Sequence, residues 1–235
     1  MNRNYYQKFQ IQRDSADRTK IENGQKPSLL LHACCCPCST HCLTVLYEHF
    51  DITIYFYNPN IDEKEEYEKR YEELIRLTKE ADFAKEVKIV DGSYEPEKFY
   101  AMAEGRENLP ERGARCYDCY DMRMRKTAEY ALENHFDYFS TTLSISPYKN
   151  ADWLNEIGCR LEEEMREKYS EKQEESEDSI PEFLFSDFKK ENGYKHSIQL
   201  SNEYNLYRQD YCGCKFSRRD HEAKLAARVA LENEK

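Results

Sequence analysis

Several common catalytic and targeting devices are missing from this sequence. With only seven glycines in 235 residues, it has neither a G-x-x-x-x-G-K-[ST] stretch nor a serine-glycine-glycine loop, so cradling of ATP phosphates by backbone amides has little support. No charged-then-apolar leader opens the chain, which begins MNRNYYQKFQIQRDSADRTK. No later apolar run approaches the ~18 residues of a membrane span. These absences argue against a membrane partner and set the expectation of a cytoplasmic protein. Internal repeats are absent as well. Positive charge is scarce: 35 Lys and Arg face 46 Asp and Glu, a formal net charge of −11, so the average surface field repels nucleic acid. A nucleic-acid partner therefore needs a local basic patch. Two stretches offer one, Arg123, Arg125 and Lys126 in DMRMRK and Lys215, Arg218 and Arg219 in CKFSRRDH, each just after a cysteine pair.

What the sequence has in quantity is sulfur. Ten cysteines fall below the roughly 8–10% of small secreted disulfide scaffolds, in a chain long enough to bury a core without staples. In a reducing compartment, clustered thiols bind metal or do redox chemistry more often than they form structural bridges.

Along the chain, residues 1–26 read as a polar, loosely held arm and residues 27–235 as a single α/β catalytic domain with a cysteine-rich metal site. SLLLHA, DITIYFYN, EVKIVDG and DYFSTTLSISPY have the length and the β-branched or aromatic content of strands. PEFLFSDF is a fifth strand or the start of a return loop. Helices are expected over Cys38–Phe50, over IDEKEEYEKRYEELIRLTKEADF, around Pro96–Glu104, from RCYDCY onward, from Asp152 to Glu171 and from Arg218 to Lys235. EKQEESEDS reads as an exposed loop. Strands alternating with helices predict a parallel sheet covered on both faces, with ligands at the carboxyl ends of its strands. That rule places Cys34 to Cys38 at the mouth of the sheet.

The thiols fall into three groups: LHACCCPCSTHC, the C-x-x-C pair Cys116 and Cys119, and the C-x-C pair Cys212 and Cys214. Cys42 reads as a helix-packing residue and Cys159 as a small buried apolar one. Zinc sites, dithiol redox motifs and iron–sulfur clusters all use C-x-x-C. An adjacent pair at a strand end and a pair at a helix start can supply four thiolates to a cluster; zinc and dithiol chemistry stay open on spacing alone. Glycine inside C-x-C lets both sulfurs meet in a strained, labile bridge or face one metal; two incidental thiols in a loop are the bland alternative.

LHACCCPCS, ARCYDCYDMR, STTLSISPYKN and LYRQDYCGCKFS, in this order and at these separations, resemble the epoxyqueuosine reductases of the QueH type, from about Ser28 to Ser217. The resemblance implies a Rossmann-like three-layer fold related to adenine-nucleotide hydrolases and a 4Fe-4S cluster. It also implies the last step of queuosine synthesis, removal of the epoxide oxygen from epoxyqueuosine at the wobble position of tRNA. By motif, Cys34, Cys35, Cys116 and Cys119 match the cluster ligands, and Cys212 and Cys214 the redox-active, disulfide-forming pair. A second mononuclear metal ion such as iron is implied beside the cluster, with Cys38 a contributor. The family has a small residue where this chain has Cys36, which opens the question of ligand exchange. Such chemistry requires an external electron donor and proton sources, for which Asp118, Asp210, Tyr117, Tyr211 and His32 are candidates by proximity. Tyr148, Lys149, Tyr207 and Arg208 are expected to contact base and phosphate. A cluster-free thiol–disulfide oxidoreductase, a zinc-stabilised RNA-binding module and an ATP-dependent tRNA sulfur-transfer enzyme are the competing readings.

Overall fold

A computed structural model describes residues 4–172 and 180–233. Five strands, β1 (Ser28–His32), β2 (Asp51–Phe56), β3 (Lys88–Asp91), β4 (Tyr138–Thr141) and β5 (Glu182–Phe183), form one sheet in the order β3-β2-β1-β4-β5. Every pairing is parallel, with Leu30 opposite Thr53 on one side and Phe139 on the other. The expected Rossmann-like three-layer architecture is what the chain adopts.

The period-two alternation of strands explains the layers. Leu29, Leu31, Ile52, Ile54 and Phe56 face one core, shared with α2 (Cys36–Leu46) and α3 (Lys64–Glu80). Leu30, Tyr55, Tyr57 and Phe139 face the other, shared with α5 (Ala114–Glu133) and α6 (Ala151–Lys172). At the outer edge α6 packs so tightly on β5 that a β-carbon on Gly158 would lie 2.3 Å from the Phe183 ring. The remaining helices are α4 (Pro96–Ala103), α7 (Gly193–Glu203) and α8 (Lys215–Asn233).

The structure corrects three expectations. The N-terminal stretch is no loose arm but a helix, α1 (Tyr5–Asn23). Phe9 and Ala16 enter the core, and Gln12 donates to Phe183 O (2.9 Å) and accepts from Phe185 N (2.9 Å), covering the exposed edge of β5. Three buried anchors in nineteen residues are too few to set up an apolar period. The first site helix starts at Cys36 rather than Cys38, because Pro37 fits its first turn. Cys159 is exposed: the buried stripe of α6 runs through Leu154, Ile157, Leu161 and Met165, and residue 159 falls beside it. Helix α7, packed on α2 and lacking a strong apolar stripe, had no sequence signal. The expected EKQEESEDS loop lies, from residue 173 to 179, outside the described residues.

Candidate metal centre

The chain builds outward from β1 toward β3, then crosses to β4 on the other side, so a crevice opens between the carboxyl ends of β1 and β4. Ala33 extends the β1 pairing through Ala33 N to Tyr55 O (3.1 Å), and Asn58 Nδ2 donates to Ala33 O (2.9 Å). Cys34 and Cys35 therefore leave a fixed point. Cys35 is extended (φ −168°, ψ 157°) and caps α2. The turn brings the Sγ atoms of Cys34, Cys35 and Cys38 within 4.8 Å of one another, those of Cys34 and Cys35 being 3.7 Å apart. Cys36 instead joins the core shared with α2 and α3, where burial pushes its thiol well up.

A second thiol group faces the first. Cys116 and Cys119 lie in the first two turns of α5, and Cys212 and Cys214 immediately precede α8. All four line a small cavity of about 30 Å³ that also contains Asn60, Tyr120 and Lys149. Cys212 joins it to a larger cavity of about 310 Å³, lined by Cys34 and Cys38 from the other group. Cys116 Sγ accepts from Arg112 N (3.3 Å) and Cys214 Sγ from Ser217 N (3.4 Å). Three helices, α2, α5 and α8, thus begin at these thiols and direct their positive ends toward negative charge there.

Buried cations reinforce that bias. Arg123 is wholly buried; it donates to Asn58 Oδ1 (2.6 Å) and, through Nε, to His32 Nε2 (3.3 Å). Burial works against its charge, but Cys119, Cys34 and Cys212 outweigh that and raise its pKa. Lys149, from the loop after β4, places Nζ 3.8 Å from Cys212 Sγ, and the Cys212 and Cys34 sulfurs likewise overcome its desolvation. Arg70, buried on α3, pairs with Glu66 (2.7 Å) and donates to Cys212 O (3.1 Å). Within the first group, Cys34 takes the negative charge: hydrogen bonds from Cys35 and Cys38 lower its pKa well below normal, with help from Lys149 and Arg123. The same hydrogen bonding pushes Cys35 up to about 11. His32 lies beneath the thiols, held down at about 3 by burial and by Arg123, and is a neutral packing group rather than an acid.

The residues proposed from sequence for substrate contact separate. Tyr148, Lys149 and Arg208 line the larger cavity. Tyr207 turns away, its hydroxyl donating to Glu66 (2.9 Å) and its ring under Lys69 (3.4 Å). Among the proton-source candidates, Asp210 and Tyr211 line the cavity, whereas Asp118 is paired with Arg106 and Tyr117 rests against Trp153 and Glu156. Most of the two expected basic patches is engaged elsewhere: Arg123 is interior, Arg125 pairs with Glu164 (2.6 Å), Arg218 with Asp62 (2.5 Å) and Arg219 with Asp220 (3.3 Å), and Lys215 lies over the Tyr100 ring (4.3 Å). The cavity instead draws its positive charge from Arg112, Lys149, Arg208 and Lys224. Arg112 carries no cysteine-pair signal; its guanidinium lies 4.9 Å over the Tyr148 ring, and Tyr148 is 59% exposed.

Comparison with known proteins adds a family to this geometry. The model of the family described as "Epoxyqueuosine reductase QueH" matches residues 29–220. A relative of that name from Staphylococcus epidermidis is 41% identical over 83% of this chain and 78% of its own length. Others from Streptococcus pyogenes and Thermotoga maritima are 38% and 35% identical, covering 92% and 85% of this chain and 81% and 96% of theirs.

Proposed function

The chain belongs to the epoxyqueuosine reductase QueH family, and from that premise we propose that it removes the epoxide oxygen of epoxyqueuosine at the tRNA wobble position. The reaction consumes two electrons and two protons and leaves an alkene and water, the last step of queuosine biosynthesis. One observation carries the reading: seven thiols from three distant chain segments converge on one crevice whose mouth is basic, in a chain of net charge −11.

The donor set suits an iron–sulfur cluster held by Cys34, Cys35, Cys116 and Cys119, with Cys38 available to a second iron ion. One feature supports that fit: Arg123 Nη1 is buried without an oxygen or nitrogen partner among the described residues, although Cys119 raises the pKa of its guanidinium. Buried cations without carboxylates require a nearby anion, which thiolate-ligated iron provides. A bound 4Fe-4S cluster supplies electrons singly from an external donor, and a second iron ion adds Lewis acidity.

The chain's own groups do the rest. Lys149 Nζ offers positive charge and a hydrogen bond to the oxygen as the C–O bond breaks. Asp210 and Tyr211 at the cavity wall are placed to relay protons. Arg208 and Arg112 meet the flanking phosphates, and Tyr148 offers a face for an unstacked base. Closing a disulfide between Cys212 and Cys214 would release two electrons and two protons, matching what loss of the epoxide oxygen as water consumes, and two electrons from the external donor with two protons would reopen it. The test is nucleoside mass spectrometry of epoxyqueuosine-containing tRNA after incubation with anaerobically purified, iron-replete protein and a strong reductant. Loss of one oxygen is expected. No loss with iron and sulfide present would refute the substrate; zinc without sulfide would favour the RNA-binding module, and a metal-free active protein the dithiol enzyme.

A further inference from the structure

Helix α8 leaves the body of the protein. Phe216 and Ser217 in its first turn are buried, but every residue from 222 to 230 is exposed, Leu225 at 49% and Val229 at 55%. Helices exposed all round owe their place to something other than core burial. Its composition also departs from the rest of the chain: Lys215, Arg218, Arg219, Lys224 and Arg228 outnumber Asp220, Glu222 and Glu232 in a protein of net charge −11.

The position of these charges is more informative than their number. At 3.6 residues per turn, Ser217, His221, Lys224 and Arg228 follow the i, i+4, i+7, i+11 spacing of one helix face. Ser217, His221 and Lys224 line the large cavity together with Arg112 and Arg208, so this face begins inside the candidate site. From His221 to Arg228 it runs a further ~10 Å outward at 1.5 Å per residue. Glu222 projects elsewhere by the same spacing, whereas Asp220, one turn before Lys224, lies at the edge of the stripe and is paired with Arg219 (3.3 Å). The cation stripe is therefore continuous with the crevice and leads away from it.

We propose that α8 is a phosphate rail: the face bearing His221, Lys224 and Arg228 binds the backbone of the tRNA anticodon arm outside the crevice that receives the modified base. The assignment rests on the tRNA reading above. Backbone binding by Lys and Arg is largely independent of sequence and is read by its salt dependence.

The test measures binding of epoxyqueuosine-containing tRNA by the iron-loaded full chain across a salt series, for the wild type, Lys224→Gln/Arg228→Gln and Arg219→Glu, the two variants each lowering the net charge by two. Arg219 is exposed on the opposite face, beside Asp220, and controls for altered net charge. The rail predicts that the double variant binds about tenfold more weakly, with the slope of log Kd against log salt reduced by about one per cation removed, while Arg219→Glu stays within about twofold of wild type. Equal weakening by both would show bulk charge alone and overturn the rail, as would wild-type affinity in the double variant. A dimer dispersed by Leu225→Ser, with RNA binding untouched, would make α8 a protein interface and likewise overturn it. If the wild type binds this tRNA yet removes no oxygen from it, the enzymatic reading fails while the rail stands.

Discussion

Replacing Gly213 with alanine should unsettle the C-x-C loop while leaving both thiols in the sequence. Gly213 has φ +118°, a conformation that L residues rarely adopt, and holding one there costs about 1–3 kcal/mol. The added β-carbon would also lie 3.0 Å from Ile61 Cγ1 and 3.2 Å from Arg70 Nη1. That Nη1 donates to Cys212 O, and Gly213 O accepts from Asp62 N (3.0 Å), so the loop cannot yield without releasing a partner. Overpacking adds about 1 kcal/mol. The expected loss is about 2–4 kcal/mol, a fall in Tm on the order of 10 °C at this chain length. The assay is calorimetry of iron-free, reduced protein, with Gly105→Ala as the comparison. Gly105 also has positive φ (72°) but nothing within 4 Å of a β-carbon, so backbone strain alone applies there. If the two variants melt together, the contacts with Ile61 and Arg70 do not constrain the loop and the argument is refuted.

Further outcomes test the charge arrangement. Arg123→Gln should destabilise the protein by about 3–5 kcal/mol, because it removes a buried cation and unpairs Asn58 Oδ1; chemical denaturation of the iron-loaded chain measures this. Arg208→Ala should weaken tRNA affinity by about three- to tenfold through lost phosphate contact; unchanged affinity and turnover would remove Arg208 from the substrate site. His41, whose Nδ1 lies 3.0 Å from His196 Nδ1, is held at about 4 by burial and by His196. The unfolded chain, with an ordinary value near 6.5, binds a proton first as pH falls. Stability should drop from about pH 6.5 to pH 4, and His41→Asn should flatten that limb of a Tm–pH curve.

The legible part of the structure was the part written in short-range pattern. The apolar runs at Ser28 and Asp51 and the β-branched run at Lys88 gave strands because consecutive residues serve two opposite cores. The strand-to-cysteine junction at His32 placed the thiols at the sheet mouth for the same reason. What stayed hidden depends on tertiary partners. Arg123 sits among charged residues in DMRMRK and looked like a surface cation, yet it is interior because Asn58, His32 and the thiols meet it there. Tyr207 lies four residues before Tyr211, but Glu66 and Lys69 of α3 hold it outside the cavity. Lys224 had no motif at all; only the direction of α8 brings it to the mouth.

The latch between Arg70 and the Cys212 carbonyl also bears on how the site comes into being. Chains leave the ribosome amino end first. Cys34, Cys35 and Cys38 therefore emerge long before Cys212 and Cys214, and helix α3, with Arg70 and its Glu66 counter-ion, is waiting before its C-terminal partner exists. Until that segment docks, the nascent protein presents an open set of three close thiols, a donor arrangement attractive to soft ions such as zinc or copper(I). If the seven thiols bind metal together, the late arrival of residues 212–214 would make correct metallation a matter of timing, because the full thiol set would form only after that segment docks.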